Sequence, residues 1–577
     1  MSSVMNNETS ALLEKYFDTA FTAPDGIKKL RELILTLAMQ GKLVPQDPTD
    51  RPASELLKAI EAEKTQLIDQ KEIKQPKALL EIKKTDLPYQ IPYGWEWVRL
   101  GDITEIIRGI TFPGIEKSKE FALGKIACIR TANVQNEIEW EDLLFVRRTF
   151  MKKESQLLHN NDIVMSMANS RELVGKVAII KNLPHEEATF GGFLGVIRTY
   201  QVLPMFVLCL LKTQYARATL IDSASQTTNI ANVSLGKLNP FLTPLPPIEE
   251  QHRIVAEIDR LMARCDELEK LRTDRNQKRT TVHTAAIDRL LKAQDDRAFS
   301  TAWSFITQHF SELYSVKENV TELRKVILQL AVMGKLVPQD PTDEPASELL
   351  KAIGLEKQRL VKEGKIKKSK NLPESKAEEV PYELPKGWQW SNIQKLSLKV
   401  TDGEHITPQR SESGYYLLSA RNVTNQGIKL DNVDYVPQQE YERIRKRCDP
   451  EIGDILVSCS GSVGRIAIVD ADEYVMVRSV ALIKHEHNFI NSLFLANALR
   501  SPILQSQIIE KSRTTAQSNL FLGKINELLV PIPPLTEQHR IVAKIDRLME
   551  FCDRLEASIE ATKIKQTDLL NAVMSRV

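Results

Sequence analysis

The feature that most constrains this chain is a long internal repeat. Residues 30–60 and 323–353 are identical at 25 of 31 positions, and both copies contain GKLVPQDPTD. A second repeat relates residues 244–269 to residues 531–556, and both of its copies contain EQHRIVA. A chain that repeats two blocks in this way is expected to fold as two related halves that share one packing scheme.

Between the repeated blocks lie two segments that are mostly unlike each other. We call residues 92–246 the first variable segment and residues 385–533 the second variable segment. They share only short motifs, such as NDIVMS against GDILVS and GKVAII against GRIAIV, which we interpret as scaffold. The pattern therefore predicts two related modules of different specificity on one pseudo-symmetric frame.

Composition limits the classes of protein to consider. A length of 577 residues allows roughly three to five domains. The N-terminal sequence MSSVMNNETS has neither a basic nor an apolar region typical of a secretion signal. The six cysteines show no CxxC pair and no zinc-type spacing with the nine histidines. We therefore expect a cytoplasmic protein without a structural metal.

The charge balance argues against a simple polycation. The formal net charge is +2, and the variable segments contain 17 basic and 15 acidic residues, and 17 and 16, respectively. If the chain binds nucleic acid, its basic residues must gather on one face, or partner subunits must supply phosphate contacts.

Periodicity predicts helices in the repeated blocks and a mixture of elements between them. Leu30, Leu33, Ile34 and Leu37 recur on one helical face, which Gly41 should end, and a second helix is predicted at residues 53–68. Each variable segment begins with GWxW, whose tryptophans we expect to be packing anchors. Strands are predicted at residues 126–134, 162–168, 175–180 and 194–200, and at 416–423, 454–459, 464–469 and 474–484; helices are predicted near 204–221 and 491–511.

The EQHRIVA blocks predict long helices with an apolar seam, because apolar residues alternate at steps of four and three. The seam residues are Ile254, Ile258, Leu261, Cys265 and Leu268 in the first copy, and Ile541, Ile545, Leu548, Cys552 and Leu555 in the second. Two such helices would bury their seams well against each other, and a pseudo-twofold axis between the halves would make them antiparallel.

The sequence contains no motif for catalysis. It has no phosphate-binding GxxxxGK[ST] loop, no GxGxxG, no HExxH and no EF-hand pattern. Polar residues suited to base recognition do occur in both variable segments, since Arg can bond guanine and Asn or Gln can bond adenine through two hydrogen bonds. The candidates are Arg108, Arg130, Asn133, Asn169, Arg171, Lys176, Gln226 and Asn229 in the first segment, and His405, Gln409, Arg410, Arg421, Asn422, Arg465, Arg478, Arg513 and Gln517 in the second.

Over nearly its whole length the chain resembles the specificity subunit of bacterial type I restriction–modification systems. The resemblance is carried by the two PLPPxxEQHRIV-type blocks, the GWxW entries and the series TDGEHITP, SARNV, GDILVS and GRIAIV. The duplicated GKLVPQDPTDxPASELL block is similar to that of the longer members of this family.

The resemblance implies an α+β architecture: two α/β target-recognition domains in pseudo-twofold arrangement, joined by long helices that form an antiparallel coiled coil. Each domain would bind one half of a split DNA target with a fixed gap, and the helices would set the spacing and dock two methylation subunits, with restriction subunits joining through the complex. S-adenosylmethionine, ATP and magnesium would belong to those partners, and this chain would not be an enzyme.

The implied boundaries are 1–90 (N-terminal helical region and linker), 91–247 (first recognition domain), 248–300 (central helix), 301–383 (central helical repeat and linker), 384–533 (second recognition domain) and 534–577 (C-terminal helix).

Two alternatives remain open from the residues alone. One is a coiled-coil adaptor with two protein-binding modules. The other is a diverged stand-alone DNA methyltransferase or nuclease. The target sequence and the gap length do not follow from the sequence.

Overall fold

The structure is a computed structural model, and it describes residues 22–574 except 77, 171–172, 185–186, 223–225, 228–229, 368–379 and 513–518. The chain divides into two compact units. Unit 1 comprises Met1–Arg275 and Thr562–Val577, and unit 2 comprises Asn276–Ala561. Two long helices, Ile248–Leu291 and Leu535–Met574, each contribute residues to both units, the first passing from unit 1 to unit 2 and the second from unit 2 to unit 1.

Each repeated block folds as a helical pair, as the periodicity predicts. The helices are Gly26–Met39 and Ala53–Asp69 in unit 1, and Lys317–Val332 and Ala346–Lys362 in unit 2. The first helix ends in a Schellman motif: Gly41 takes a φ of 68°, its N–H donates to the Ala38 carbonyl, and the Lys42 N–H donates to the Leu37 carbonyl. A Cβ atom on Gly41 would also lie 2.3 Å from Pro92 Cγ, so this position requires glycine for its conformation and for its space.

The first variable segment is built on a four-stranded antiparallel sheet, which we call main sheet 1. Its strand order is Thr104–Arg108, Leu194–Thr199, Ile163–Ser166, Val177–Ile179. Further sheets are formed by Leu144–Arg147, Lys125–Ile129 and Ala188–Phe190, by Gln226–Thr227, Ile230–Asn232 and Ala168–Asn169, and by Glu96–Arg99 with Leu242–Leu245. The other elements are helices Leu100–Ile103, Pro204–Leu211, Gln214–Arg217 and Leu235–Leu238, the π-helix Ala218–Asp222, and 3-10 turns at Lys84–Asp86, Gly114–Glu116, Thr131–Asn133, Arg148–Phe150 and Glu154–Gln156.

The second variable segment repeats this topology with a different sequence. Main sheet 2 has the order Ser397–Asp402, Val480–His485, Ile455–Ser458, Ile466–Ile468. The companion sheets are Asp434–Val436, Tyr415–Leu418 and Tyr474–Met476, then Gln389–Asn392 with Leu529–Ile532, and Val423–Thr424 with Gly427–Ile428. The helices of unit 2 outside the repeats and the long helices are Asp296–Gln308, Phe310–Leu313, Ile393–Leu396, Gln438–Arg445, Ser492–Arg500, Pro502–Ser512 and Leu522–Asn526.

Several predicted strands, including the one at 416–423, ran past their observed ends, and two of these errors are informative. The predicted strand at 474–484 is two strands in different sheets, because a tight turn closes between them through a 3.0 Å hydrogen bond from the Val480 N–H to the Val477 carbonyl. No glycine or proline marks this turn, so the apolar run conceals it. The predicted strand at 126–134 ends at Ile129, where a 3-10 turn at Thr131–Asn133 begins.

A buried carboxylate joins three parts of unit 1. The Trp95 Nε1 donates to Glu250 Oε2 at 2.8 Å, and Gln46 Nε2 donates to Glu250 Oε1 at 2.6 Å. Trp95 belongs to the GWxW entry, Glu250 to the EQHR block and Gln46 to the VPQD block. Both Trp95 and Glu250 are buried, and this burial raises the pKa of Glu250 while its two hydrogen bonds oppose the rise.

Unit 2 contains the same arrangement. Trp388 donates to Glu537 Oε2 at 2.9 Å and Gln339 donates to Glu537 Oε1 at 3.2 Å, and burial again raises the pKa of the glutamate. We call each trio the carboxylate clasp of its unit. In each unit the two repeated blocks contact each other through this glutamine and glutamate. The shared contact explains why both copies contain the same two residues.

Replacing Glu250 by alanine is expected to destabilise unit 1 by about 2–4 kcal/mol. The substitution leaves the buried Trp95 indole N–H without a partner and removes one of the two hydrogen bonds that the Gln46 amide donates, the other going to the Gly41 carbonyl. An unsatisfied buried donor costs roughly 1–3 kcal/mol. Glu250→Gln should cost less, since it keeps an acceptor oxygen for Trp95. Urea unfolding measures both changes. Glu267→Ala, an exposed position on the same helix, is the control, and equal stability of the two alanine variants would contradict the clasp.

The predicted helix seams are buried against the repeat helices of their own units, a partner that the pattern did not reveal. Ile254, Ile258 and Cys265 lie in one core with the helix Gly26–Met39, and Leu261 and Leu268 pack at its edge. In unit 2 the seam residues Ile541, Ile545 and Cys552 share a core with the helix Lys317–Val332, flanked by Leu548 and Leu555. The same core includes Ala286 and Leu290 of the first long helix.

Ion pairs flank each seam. Arg31 of unit 1 donates to Asp266 at 2.7 Å and to Glu269 at 3.0 Å. Arg324, its repeat counterpart in unit 2, lies 2.7 Å from Asp553 and 3.3 Å from Glu556. The acidic partners are largely exposed or half-exposed, so these pairs fix the register of the helices more than they add stability.

Candidate nucleic-acid interface

The polar candidates of the first variable segment lie near the end of main sheet 1. Arg108 ends its first strand and is exposed. Arg130 donates to both the carbonyl and the carboxylate of Asp142. Lys176 Nζ donates to Gln135 Oε1 at 2.8 Å, and Asn169 lies in a short strand paired with Ala231.

Two candidate asparagines are buried and hydrogen-bonded within their own turns, which argues against their prediction as base-reading residues. Asn133 is 3% exposed, and its amide donates to the Glu139 and Glu141 carbonyls while its oxygen accepts the Arg130 N–H. Asn422 is 1% exposed and makes the equivalent bonds to the Lys429 carbonyl and the Ser419 N–H. Both side chains thus hold the turns of the TAN and ARN motifs in place and are largely inaccessible to a ligand.

A charged cluster lies at the corresponding end of the second variable segment. His405 Nε2 lies 2.8 Å from Asp402 Oδ2 and 3.0 Å from an Arg447 nitrogen. Arg447 also donates to Asp402 Oδ1 at 2.7 Å. Burial would raise the pKa of Asp402, but the hydrogen bonds from Arg447 and His405 hold it below its usual value. The His405 side chain is half exposed, so it can contact a ligand from this network.

Several other cations of this segment have acidic neighbours. Arg421 lies 2.8 Å from Asp434 Oδ2, and Arg410 lies 3.5 Å from the same oxygen. Gln409 and Arg478 are exposed, and Arg465 is half-buried beside main sheet 2. These acidic neighbours balance the charge of the arginines locally, in agreement with the near-zero net charge of the segment.

Five predicted residues are only partly described or lie outside the described residues. Gln226 lies in the strand Gln226–Thr227. Arg171, Asn229, Arg513 and Gln517 fall outside the part of the chain that the structure describes.

Sequence reasoning missed several residues at these surfaces. Arg443 donates to the buried carboxylate of Glu404 at 2.8 Å, and Arg447 completes the His405 network. The signal was available, because residues 443–447 read RIRKR, a basic run of the kind that marks nucleic-acid contacts. Phe193 is 67% exposed on a turn between two strands, and an exposed aromatic residue between short strands leaves no comparable sequence signal.

The arrangement supplies hydrogen-bond donors, not reactive groups. No group of three or more His, Cys, Asp or Glu side chains that could bind a metal ion occurs among the described residues. All six cysteines are unpaired and buried, and burial raises the pKa of Cys209 and of Cys459 to about 12. No helix within the described residues is long and apolar enough to cross a membrane.

Within the second variable segment, the buried Asp454 is expected to make the free energy of unfolding depend on pH. This carboxylate is fully buried, and desolvation raises its pKa to about 7. Lys484 lies 3.7 Å away and has further acidic partners in Glu451 and Asp449.

Because the folded state holds the Asp454 proton more tightly than the unfolded state, its contribution to stability is full below pH 4 and is lost as pH rises through 7. Asp454→Asn cannot ionise, so the variant should gain stability relative to the wild type between pH 5 and pH 8. Urea unfolding at the two pH values measures this gain. A difference that is the same at both would contradict the raised pKa.

Comparison with known proteins identifies the family. The model of the type I restriction modification DNA specificity domain matches residues 92–276 and again residues 386–566. The EcoAI specificity subunit of Escherichia coli is 33% identical over 560 residues, which cover 95% of this chain and 93% of that protein. The EcoEI specificity subunit of Escherichia coli is 31% identical over 565 residues, with the same coverage. A crystal structure of the HsdS subunit from Thermoanaerobacter tengcongensis aligns with 85% of this chain and 98% of its own, at 16% identity and a TM-score of 0.41.

The chain belongs to the DNA specificity subunits of type I restriction–modification systems. It is a DNA-recognition component and not a catalytic one, as the sequence predicted. Two α/β recognition domains joined by helices are likewise confirmed. The adaptor and stand-alone enzyme alternatives are not favoured by these relatives.

Proposed function

We propose that each variable segment binds one half of a bipartite DNA target with a fixed gap. The observation that carries this proposal is that two unlike sequences fold on the same sheet topology, with the same clasp at each entry. A common scaffold with divergent loops is what two readers of different sequences require. Half-exposed donors such as Arg421 and His405 suit hydrogen bonding to base edges in the major groove.

The long helices are proposed to set the gap and to dock two methylation subunits. They comprise 44 and 40 residues, and a helix of this size spans roughly 60 Å. That length exceeds the ~34 Å of one duplex turn that separates typical half-sites. Restriction subunits would join through the methylation subunits, and S-adenosylmethionine, ATP and magnesium would be bound by those partners.

Near-neutral variable segments support a role for partners in binding. A DNA-binding surface normally neutralises several phosphates, yet several guanidinium groups, such as those of Arg421, Arg443 and Arg447, already have acidic neighbours. We propose that the methylation subunits contribute part of the phosphate contacts. We also propose a cytoplasmic location, consistent with six unpaired cysteines.

A methylation map tests the proposal. The chain is co-expressed with the methylation subunit of its own operon, and the host DNA is sequenced for modified adenines. We expect one split motif with a constant gap. Binding of the partner without any motif would instead support an adaptor, and methylation by this chain alone would overturn its assignment as non-catalytic.

A further inference from the structure

We propose that one tight turn is the specificity-determining element of each recognition domain: residues 477–479 in the second and residues 191–193 in the first. Arg478 would contact a guanine in one half-site, and Phe193 would make apolar contact with a base in the other. The inference rests on the proposed function and adds the residues that discriminate between bases. We call this element the pinned turn.

In the second domain the pinned turn is fixed by four hydrogen bonds to three neighbouring segments, around residues 404, 418–420 and 459. The Val477 N–H donates to the Leu418 carbonyl at 3.0 Å, and the Arg478 N–H donates to the Glu404 carbonyl at 3.0 Å. The Ser479 carbonyl accepts the Cys459 N–H at 2.8 Å, and its hydroxyl accepts the Ala420 N–H at 3.0 Å. Every residue of the turn is thus held by a different strand or loop.

The segment beside the turn is itself rigid. Glu404 is 8% exposed, and its carboxylate accepts the N–H groups of His405 and Ile406, each at 2.9 Å. Its second oxygen accepts a hydrogen bond from Arg443 at 2.8 Å. A Cβ atom on the preceding Gly403 would lie 2.1 Å from the Met476 carbonyl oxygen, so there is no room for a side chain between the two backbone segments.

The first domain fixes its pinned turn in the same way. The Gly191 N–H donates to the Ile129 carbonyl at 2.9 Å, and the Phe193 carbonyl accepts the Met167 N–H at 2.9 Å. A Cβ atom on Gly109, the counterpart of Gly403, would lie 2.2 Å from the Gly191 carbonyl oxygen. The two domains therefore share this backbone arrangement, although the turn reads GGF in the first domain and VRS in the second.

What differs between the two turns is the side chain that faces solvent. Arg478 is exposed and makes no ion pair or side-chain hydrogen bond with any residue in the described part of the chain. This distinguishes it from Arg421 and Arg447, which are paired with Asp434 and Asp402. Phe193 is 67% exposed, so its ring is accessible to a ligand.

The chemistry of each side chain suits base recognition. A guanidinium group can donate two parallel hydrogen bonds to guanine O6 and N7, and a phenyl ring can contact the methyl group of thymine. A rigid backbone reduces the conformational entropy lost on binding and holds the side chain in a fixed geometry. The cations already paired with acids would have to exchange partners before they could do the same.

The test uses the complete methylation complex and the methylation map. Arg478→Ala is expected to reduce methylation of the wild-type motif by about 10- to 100-fold and to relax the preference at one base pair of one half-site. Phe193→Ala should relax one base pair of the other half-site. Lys386→Ala, an exposed cation at the entry of the second variable segment, is the charge-matched control and should leave the motif unchanged.

Two outcomes would overturn the inference. One is a motif that both variants leave unchanged. The other is a loss of methylation that is uniform over all sequences and is accompanied by a weaker salt dependence, since this identifies phosphate contacts. Thermal unfolding of each variant checks that the turn still folds. If the wild-type complex itself yields no split motif, the proposed function fails rather than this assignment.

Discussion

Removing one heptad from each long helix is expected to shorten the gap of the DNA target while both half-sites keep their sequences. Seven residues correspond to about 10 Å of helix, or roughly three base pairs at 3.4 Å each. Seven residues make up nearly two whole helical turns. The parts of a helix on either side of the deletion therefore rotate by only about 20° relative to each other. The apolar seams therefore keep facing their own cores.

The position of the deletion matters. Residues 263–270 and 550–557 are unsuitable, because these segments contain the ion-pair partners of Arg31 and Arg324 and the seam residues Cys265 and Cys552. Deletion there would disrupt the cores of the units. Residues 274–280 and 561–567 span the two boundaries between units and are mostly exposed, so they are the better choice.

The methylation map of the double-deletion variant measures the gap directly. Deleting the heptad from one helix only is the control, and it should abolish activity because only one of the two helical connections would then be shortened. An active double-deletion variant with an unchanged gap would show that the helices do not set the spacing.

Exchange of residues 92–246 with the same segment of a relative is expected to replace one half-site completely and to leave the other half-site and the gap unchanged. The exchanged segment contains both partners of the strand pair Glu96–Arg99 and Leu242–Leu245, so this sheet is transferred whole. It contacts the repeat blocks through the clasp, in which Trp95 meets Glu250, and through an apolar core that includes Phe206 and Val207. A donor segment that supplies GW at its entry and apolar residues at these core positions should therefore dock correctly.

The reciprocal exchange of residues 385–533 is the matched control and should alter the other half-site. A chimera in which both half-sites change, or neither changes, would contradict one reader per variable segment. Urea unfolding of the chimera against the wild type separates a misfolded domain from a domain of new specificity.

The parts of the fold that follow from the sequence are those with strong local signals. The helix ending at Gly41 could be predicted because the glycine stands directly after the apolar periodicity. The anchoring role predicted for Trp95 agrees with its burial, but its partner Glu250 lies 155 residues away and no local pattern links them. The strand at Thr104–Arg108 was missed because its residues do not alternate cleanly between polar and apolar.

The candidate site was less predictable, for a physical reason. A list of polar residues does not reveal which donors are already satisfied. Asn133 and Asn422 bond to nearby carbonyls inside their own turns, and Arg421 is held by Asp434. Arg478 can be distinguished from them only when the backbone around it is known.

The division of the chain into units has a consequence for the order in which the protein folds during synthesis. Unit 1 needs its own first 275 residues and also residues beyond 561, and Gln566 donates to Thr22 across 544 positions of sequence. A ribosome must therefore complete all of unit 2 before the last helix of unit 1 is available. The unit that emerges first is therefore the one completed last.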